Sequence, residues 1–554
     1  MPTLRWGTKT LQTLETVNRR RGRTSRLRRW LVAVAVVVVA LAAAAVAALL
    51  TWPRAGLASS ETALARVTLS RFAGHVASVR VHAADGSVVP VALRNGELWP
   101  RASVAPGEEL TVDVTVRRPG WAAWLVGRTK RRTFAVEAPA AHLRGRWLQV
   151  PAGKPVRVAF DRPVSVVAVG GKPPRRLAKP SAVVPIGVSA RGRHAAGAVR
   201  IAAVARPWER LPRTERVSWF PARPYPQLLA APRAGAKVAP VGQLTLTFSE
   251  PVRDVLGSRR PTLEPAVAGG WRLLDDHTLA FRPTGYGFGL GSTVRVSLPK
   301  RVHVAGSAAG QLARTLAWHV PAGSELRLQQ LLAQLGYLPV TWTPAATDPP
   351  PEGVRAELSA AISPPDGRFA WRYPGTPPEL QALWQPGQAN TITRGAVMMF
   401  EDTHGLAVDG IAGRRVWRAL IADAVAGRVR TDGYSYVFVH RSLPQSLNLW
   451  HDGHVILTSP GNTGVPAAPT ELGTFPVFEH IPVGTMSGTN PDGSHYNDPG
   501  IRYISYFNGG DAIHAFNRAS YGTPQSLGCV ELPLDAAAKV WPYTPIGTLV
   551  TVEN

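Results

Sequence analysis

The chain contains one cysteine, Cys529, set in the run Ser526-Leu527-Gly528-Cys529, and His514 stands 15 positions before it. A free thiol titrates at about 8.5, so it becomes an effective nucleophile near neutral pH only beside a group that takes its proton, commonly an imidazole. If the loop between them folds back, His514 can serve that role, and the pair fits acyl transfer at a carbonyl. Gly528 lets a carbonyl approach the sulfur and leaves backbone N–H groups to hold an oxyanion. On spacing alone the pair is only suggestive, because a lone cysteine is more often a small buried apolar side chain. A single cysteine excludes an internal disulfide and any multi-cysteine zinc site. His451 and His454 flank an expected hairpin turn, and no helical His-Glu-x-x-His occurs, which argues against a zinc peptidase. His404 is expected to be structural. No metal and no cofactor is expected.

Strands must position the pair. YSYVFVH and LNLWHDGHVIL predict a hairpin with Asp452-Gly453 at its turn, and IRYISYF (501–507) and GTLVTV (547–552) are also strand-like. A mostly-β domain over 434–554 follows. Before it, 321–430 turns helical: LRLQQLLAQLGYLPV (326–340) has leucines at helical spacing with Gly336 as C-cap, and RGAVMMFEDTHGLAVDGIAGRRVWRALI covers 394–421. Between about 65 and 320 the pattern is period-two strands and Gly/Pro turns. VRVAFDRPV (156–164) and LTLTFSEPV (244–252) repeat at a spacing of 88 residues, the size of one immunoglobulin-like β-sandwich. Sandwiches are expected over 139–224 and 225–320, and a further one over 65–138. Their expected role is to hold the C-terminal domain away from a membrane.

Residues 30–50 form an uncharged apolar run long enough to cross a bilayer. Seven arginines precede it, from Arg19 to Arg29, so residues 1–29 are expected to be a cytoplasmic tail, 30–52 a single-pass anchor, and the remainder extracytoplasmic. A cleaved signal peptide is the alternative, and the run exceeds its usual length. The 554 residues carry a net charge of +27. By segment this is +8 over 1–29, +25 over 53–320, −1 over 321–433 and −5 over 434–554. Nucleic acid is therefore not the expected partner, since the charge lies beyond the anchor. The basic stalk is expected to meet an anionic lipid or a wall polymer.

The segment AIHAFNRASYGTPQSLGCVELP (512–533), with TSPGNTGVPAAPTELGTFPVF (458–478) before it, resembles the YkuD-type L,D-transpeptidase catalytic domain, in which a histidine precedes a Ser/Thr-x-Gly-Cys motif. LGYLPV, MMFEDTHGLAVDGIAG and VWRAL resemble a three-helix peptidoglycan-binding module, with about 50 residues inserted and Phe400-Glu401 where Gln commonly follows Phe. The first resemblance implies Cys529 as nucleophile and His514 as general base and later acid. It further implies the Ala515 carbonyl as the group orienting the imidazole, Gly528 and Cys529 N–H groups as oxyanion donors, and Ser526 as a loop-shaping residue. The implied substrates are peptidoglycan tetrapeptide stems, cut before D-Ala through a thioester and joined 3→3. L,D-carboxypeptidation, or a silent wall-binding scaffold, are the alternative outcomes. Two positions depart from the family pattern: Leu527 stands where His is frequent, and Glu531 where Arg is usual.

Overall fold

The computed structural model describes residues 21–554 apart from 53, 72, 192–194 and 306–310. Arg19, Arg20 and the rest of the expected tail up to residue 20 lie outside the described residues. The chain divides into two compact units, one ending at Ala222 and the other beginning at Arg223.

In the first unit a helix spans Arg21–Thr51. Its part Leu27–Thr51 has 25 residues, and an 18-residue window within it has a mean hydropathy of 3.0 and no residue buried, so it is long and apolar enough to cross a membrane. Strands then begin at Ala55, ten residues before the expected boundary. Two four-stranded antiparallel sheets enclose one core around Leu98, Val112 and Val114. A short helix, Gly120–Val126, separates the last two strands of one of them. Residues 147–221 form a single five-stranded sheet rather than two facing sheets. Its two 15-residue strands, Pro155–Val169 and Arg175–Ser189, break register at three points, and such irregularities bend a strand.

The second unit starts with a seven-stranded sheet over 227–319. The sequence repeat diverges here. Phe160 and Phe248 are both buried core residues, but Val164 continues a strand while Val252 opens a helix, Val252–Leu256. The segment expected as a three-helix module holds five helices and a two-stranded antiparallel sheet, Val340–Pro344 with Gly367–Trp371, whose strands are separated by one of those helices, Gly353–Ala360. The helix Glu325–Gln334 stops before Gly336, whose φ of +82° suits glycine. Asn390 caps the helix Thr391–Thr403 by accepting from Thr393 N at 2.9 Å, and Gly427 ends Arg414–Ala426 in the left-handed region. Glu401 is buried, and its Oε2 accepts from Gly410 N at 2.8 Å and Asp409 N at 3.1 Å, which fixes the loop after the helix.

The C-terminal region has a five-stranded sheet (454–460, 446–451, 435–440, 549–553, 473–476) and a four-stranded one (479–489, 495–508, 511–515, 530–532). Asp452 and Gly453 both have positive φ, as a two-residue type I′ hairpin requires. The first sheet is covered on both faces. Val437, Val439, Leu449 and Val550 pack toward the second sheet, through Ile513, Val530 and Leu532. The alternate residues Tyr436, Trp450 and Leu549 pack with Leu331, Phe400 and Trp417 of the helical segment. Gly395 and Gly547 lie so close that a Cβ on either would sit 2.5 or 2.3 Å from the other's carbonyl oxygen.

Candidate active site

The second of these sheets positions both members of the expected thiol–imidazole pair. His514 lies in the strand Asp511–Ala515, paired in parallel with Val530–Leu532 so that His514 stands opposite Glu531. Cys529 is the residue just before that partner strand. Both line a cleft of about 640 Å³, walled on one side by Met486, Tyr496 and Asp498 from the long hairpin Glu479–Thr489/His495–Asn508.

The imidazole is only 3% exposed, and its Nδ1 lies 3.1 Å from the Ala515 carbonyl oxygen. With Nδ1–H donated to that oxygen, Nε2 is the basic nitrogen. Burial lowers the His514 pKa against the raising effects of this hydrogen bond and of Glu531, so the ring is neutral at neutral pH. Burial pushes the Cys529 thiol up to about 12, with Asp511 and Glu531 adding to it, while the Ala512 N–H favours the thiolate. The thiol makes its hydrogen bond to the Gly510 carbonyl at 3.6 Å rather than to the imidazole. Both shifts favour a neutral thiol beside a neutral imidazole.

The motif loop is held by side chains. Ser526 Oγ donates to the Cys529 carbonyl at 2.6 Å and accepts from Gly528 N at 3.3 Å, so the Gly528 amide is engaged in the resting site. Gly528 has φ +118°, and a Cβ there would lie 2.2 Å from Asp511 Oδ1, which leaves glycine the residue that fits. Leu527 lines the cleft.

Three contributors carried no signal in the sequence. Arg518 forms a two-pronged ion pair with Glu531, Nε to Oε2 at 2.9 Å and Nη2 to Oε1 at 2.7 Å, and Nη2 also reaches the Gln525 carbonyl at 3.3 Å. The guanidinium therefore enters the cleft from the loop before the motif, and neutralises the carboxylate at the position where Arg is usual. Buried Asn462 pairs its backbone with Glu531, and its Oδ1 accepts from Gly522 N at 3.0 Å, which clamps the loop 516–528. Asp511 accepts from Glu471 N at 3.3 Å, which ties the segment leading into the strand Gly473–Pro476 to the edge of the cleft. His451 and His454 face each other across the hairpin turn, and His404 is held by the Phe400 carbonyl and Asp423, each at 2.8 Å. No group of three metal-ligating side chains occurs among the described residues.

Residues 434–552 match the family of L,D-transpeptidase catalytic domains, YkuD. Similar solved structures include the catalytic domain of an E. faecium L,D-transpeptidase, 27% identical, covering 22% of this chain and 100% of that one, with a TM-score of 0.20. An L,D-transpeptidase from Mycobacterium smegmatis is 15% identical, covering 59% and 99%, with a TM-score of 0.20. L,D-transpeptidase 3 from Mycobacterium tuberculosis, in complex with a faropenem-derived adduct, is 14% identical, covering 59% and 97%, with a TM-score of 0.20. No curated protein matches the chain.

Proposed function

We propose that this chain, whose residues 434–552 form a YkuD-type L,D-transpeptidase catalytic domain, works as a membrane-anchored enzyme that cross-links peptidoglycan stems 3→3. The observation that carries the reading is the convergence of Cys529 and a buried, carbonyl-oriented His514 on one cleft. Nε2 of His514 takes the thiol proton as sulfur attacks the carbonyl before D-Ala, and the carbonyl oxygen takes the charge. Collapse of this intermediate breaks the C–N bond, and the imidazolium returns the proton to the departing D-Ala nitrogen. A thioester on Cys529 remains. The side-chain amine of a second stem then attacks it, loses a proton to His514, and the thiol is regenerated. Water in place of the amine gives L,D-carboxypeptidation. The Ser526–Gly528 hydrogen bond is long, so the Gly528 N–H can turn to the oxyanion as it forms.

The apolar helix supports a single-pass anchor in a bacterial cell membrane, with the enzyme on the wall side. The test is incubation of the full chain with disaccharide tetrapeptides and, separately, with a carbapenem, followed by mass analysis. D-Ala release with cross-linked dimers is expected, as is a carbapenem adduct that Cys529→Ala abolishes. Trimmed monomers alone would indicate the carboxypeptidase. An unmodified protein whose thiol still reacts with iodoacetamide would overturn the mechanism. Because the base must be neutral, acylation is expected to fall only below the ordinary imidazole pKa of about 6.5, as pH drops through the lowered value of His514.

A further inference from the structure

The end of the apolar helix is tied into the first β region. Buried Arg118 donates from Nε to the Trp52 carbonyl at 3.1 Å and from Nη2 to that of Leu50 at 3.4 Å, and Lys130 Nζ reaches the Leu50 carbonyl at 2.7 Å. These bonds satisfy carbonyls that a helix C-terminus leaves without intrahelical partners, and set two cations at the negative end of its dipole. The same guanidinium bonds the carbonyls of Val126 and Gly127, where the short helix Gly120–Val126 ends. One side chain therefore clamps both helices, and the Trp52 and Trp121 rings lie 5.3 Å apart.

This clamp leaves two indoles in water. Trp121 is 61% exposed and Trp124 80%, beside the point where the apolar run stops. Large exposed aromatics next to one another call for a partner, and an indole, apolar with one N–H, suits the headgroup level of a bilayer. Arg54, Arg117, Arg128 and Arg132 are exposed around them and form no ion pair among the described residues. Burial, followed by the guanidiniums of Arg118, Arg132 and Arg54, lowers the Lys130 pKa, which shows that cations crowd here without counter-charge.

We infer that this collar is a bilayer-docking surface: Trp121 and Trp124 enter the headgroup layer beside the emerging helix, and the surrounding guanidiniums bind phosphates of anionic lipid. The inference rests on Leu27–Thr51 crossing the membrane, and it adds a second contact that fixes how the first β region is oriented on the surface. The single native cysteine makes a clean probe possible. The full chain carrying Cys529→Ala and Trp124→Cys, labelled with an environment-sensitive fluorophore, is reconstituted in phosphatidylcholine vesicles with or without phosphatidylglycerol and washed with carbonate. Since Trp124 is so exposed, its replacement leaves packing intact. Label emission should rise in vesicles containing phosphatidylglycerol and be quenched at least about two-fold by headgroup-nitroxide lipid. Adding Arg128→Gln and Arg132→Gln should remove the dependence on phosphatidylglycerol. Water-like emission, insensitive to nitroxide, in protein retained after the wash would overturn the docking surface alone. An equal emission rise caused by soluble polyphosphate in vesicles lacking phosphatidylglycerol would also overturn it, in favour of a wall polymer. Release by carbonate would instead overturn the membrane-spanning reading, and the collar with it.

Discussion

Glu531 in the cleft and Glu401 in the helical segment are both buried glutamates, and the molecule accommodates them in different ways. In the cleft Glu531 is met by a fixed cation, Arg518, through two short bonds, with Asn462 Nδ2 a further 3.5 Å from Oε2. In the helical segment Glu401 has backbone N–H groups and, among the described residues, no cation paired with it. Burial pushes its pKa up to about 7, so there a proton does what the guanidinium does in the cleft. A buried carboxylate can be made tolerable by counter-charge or by protonation. The first keeps a permanent charge pair beside the nucleophile, whereas the second makes the loop at 409–410 sensitive to pH.

The sharpest way to break this contrast is Arg518→Met. It leaves Glu531 buried without its cation, and a loss of about 2–4 kcal/mol in unfolding free energy is expected by denaturant titration. Adding Glu531→Gln should recover most of that loss. A single variant as stable as the wild type would mean that the pair adds nothing to the fold. Glu401→Gln should act in the opposite direction. A folded pKa above the unfolded value makes stability fall as pH rises from about 4.5 to 7, so the wild type carries the cost of ionising Glu401 above that window. Gln keeps an acceptor for Gly410 N, and a gain of about 1 kcal/mol or more at pH 8, vanishing near pH 4, is expected from melts at the two values. Equal stability of both proteins at both pH values would show that Glu401 stays charged. The smallest effect is expected for Arg518→Lys, which keeps the charge and loses the fork, at about 1 kcal/mol in the same titration.

The thiol, the imidazole and the domain that holds them were legible because a lone cysteine and a histidine sit in one short motif, and because the flanking strands have clear turns. Tyr436-Val437-Phe438-Val439 is an unbroken apolar run, as a strand covered on both faces requires, and Tyr436 and Val437 do face two different cores. What covers the outer face was not legible, since the helices lie in a segment that reads as separate. Arg518 was hidden for a related reason. Nothing local distinguishes an arginine in a loop from a solvated one until the chain brings it to Glu531, 13 positions on. In 139–224 alternation correctly gave strands, but a strand that bends at register shifts looks the same in sequence as two strands in facing sheets.

The apolar layer joining Tyr436, Trp450 and Leu549 to Phe400 and Trp417 limits where the chain can be cut. A fragment started at residue 434, where the family match begins, would bare those aromatic rings and leave the Gly395–Gly547 approach empty on one side. Such a truncation is prone to aggregate. The shortest well-behaved catalytic piece should begin near residue 321, which keeps the helical wall over that face of the sheet.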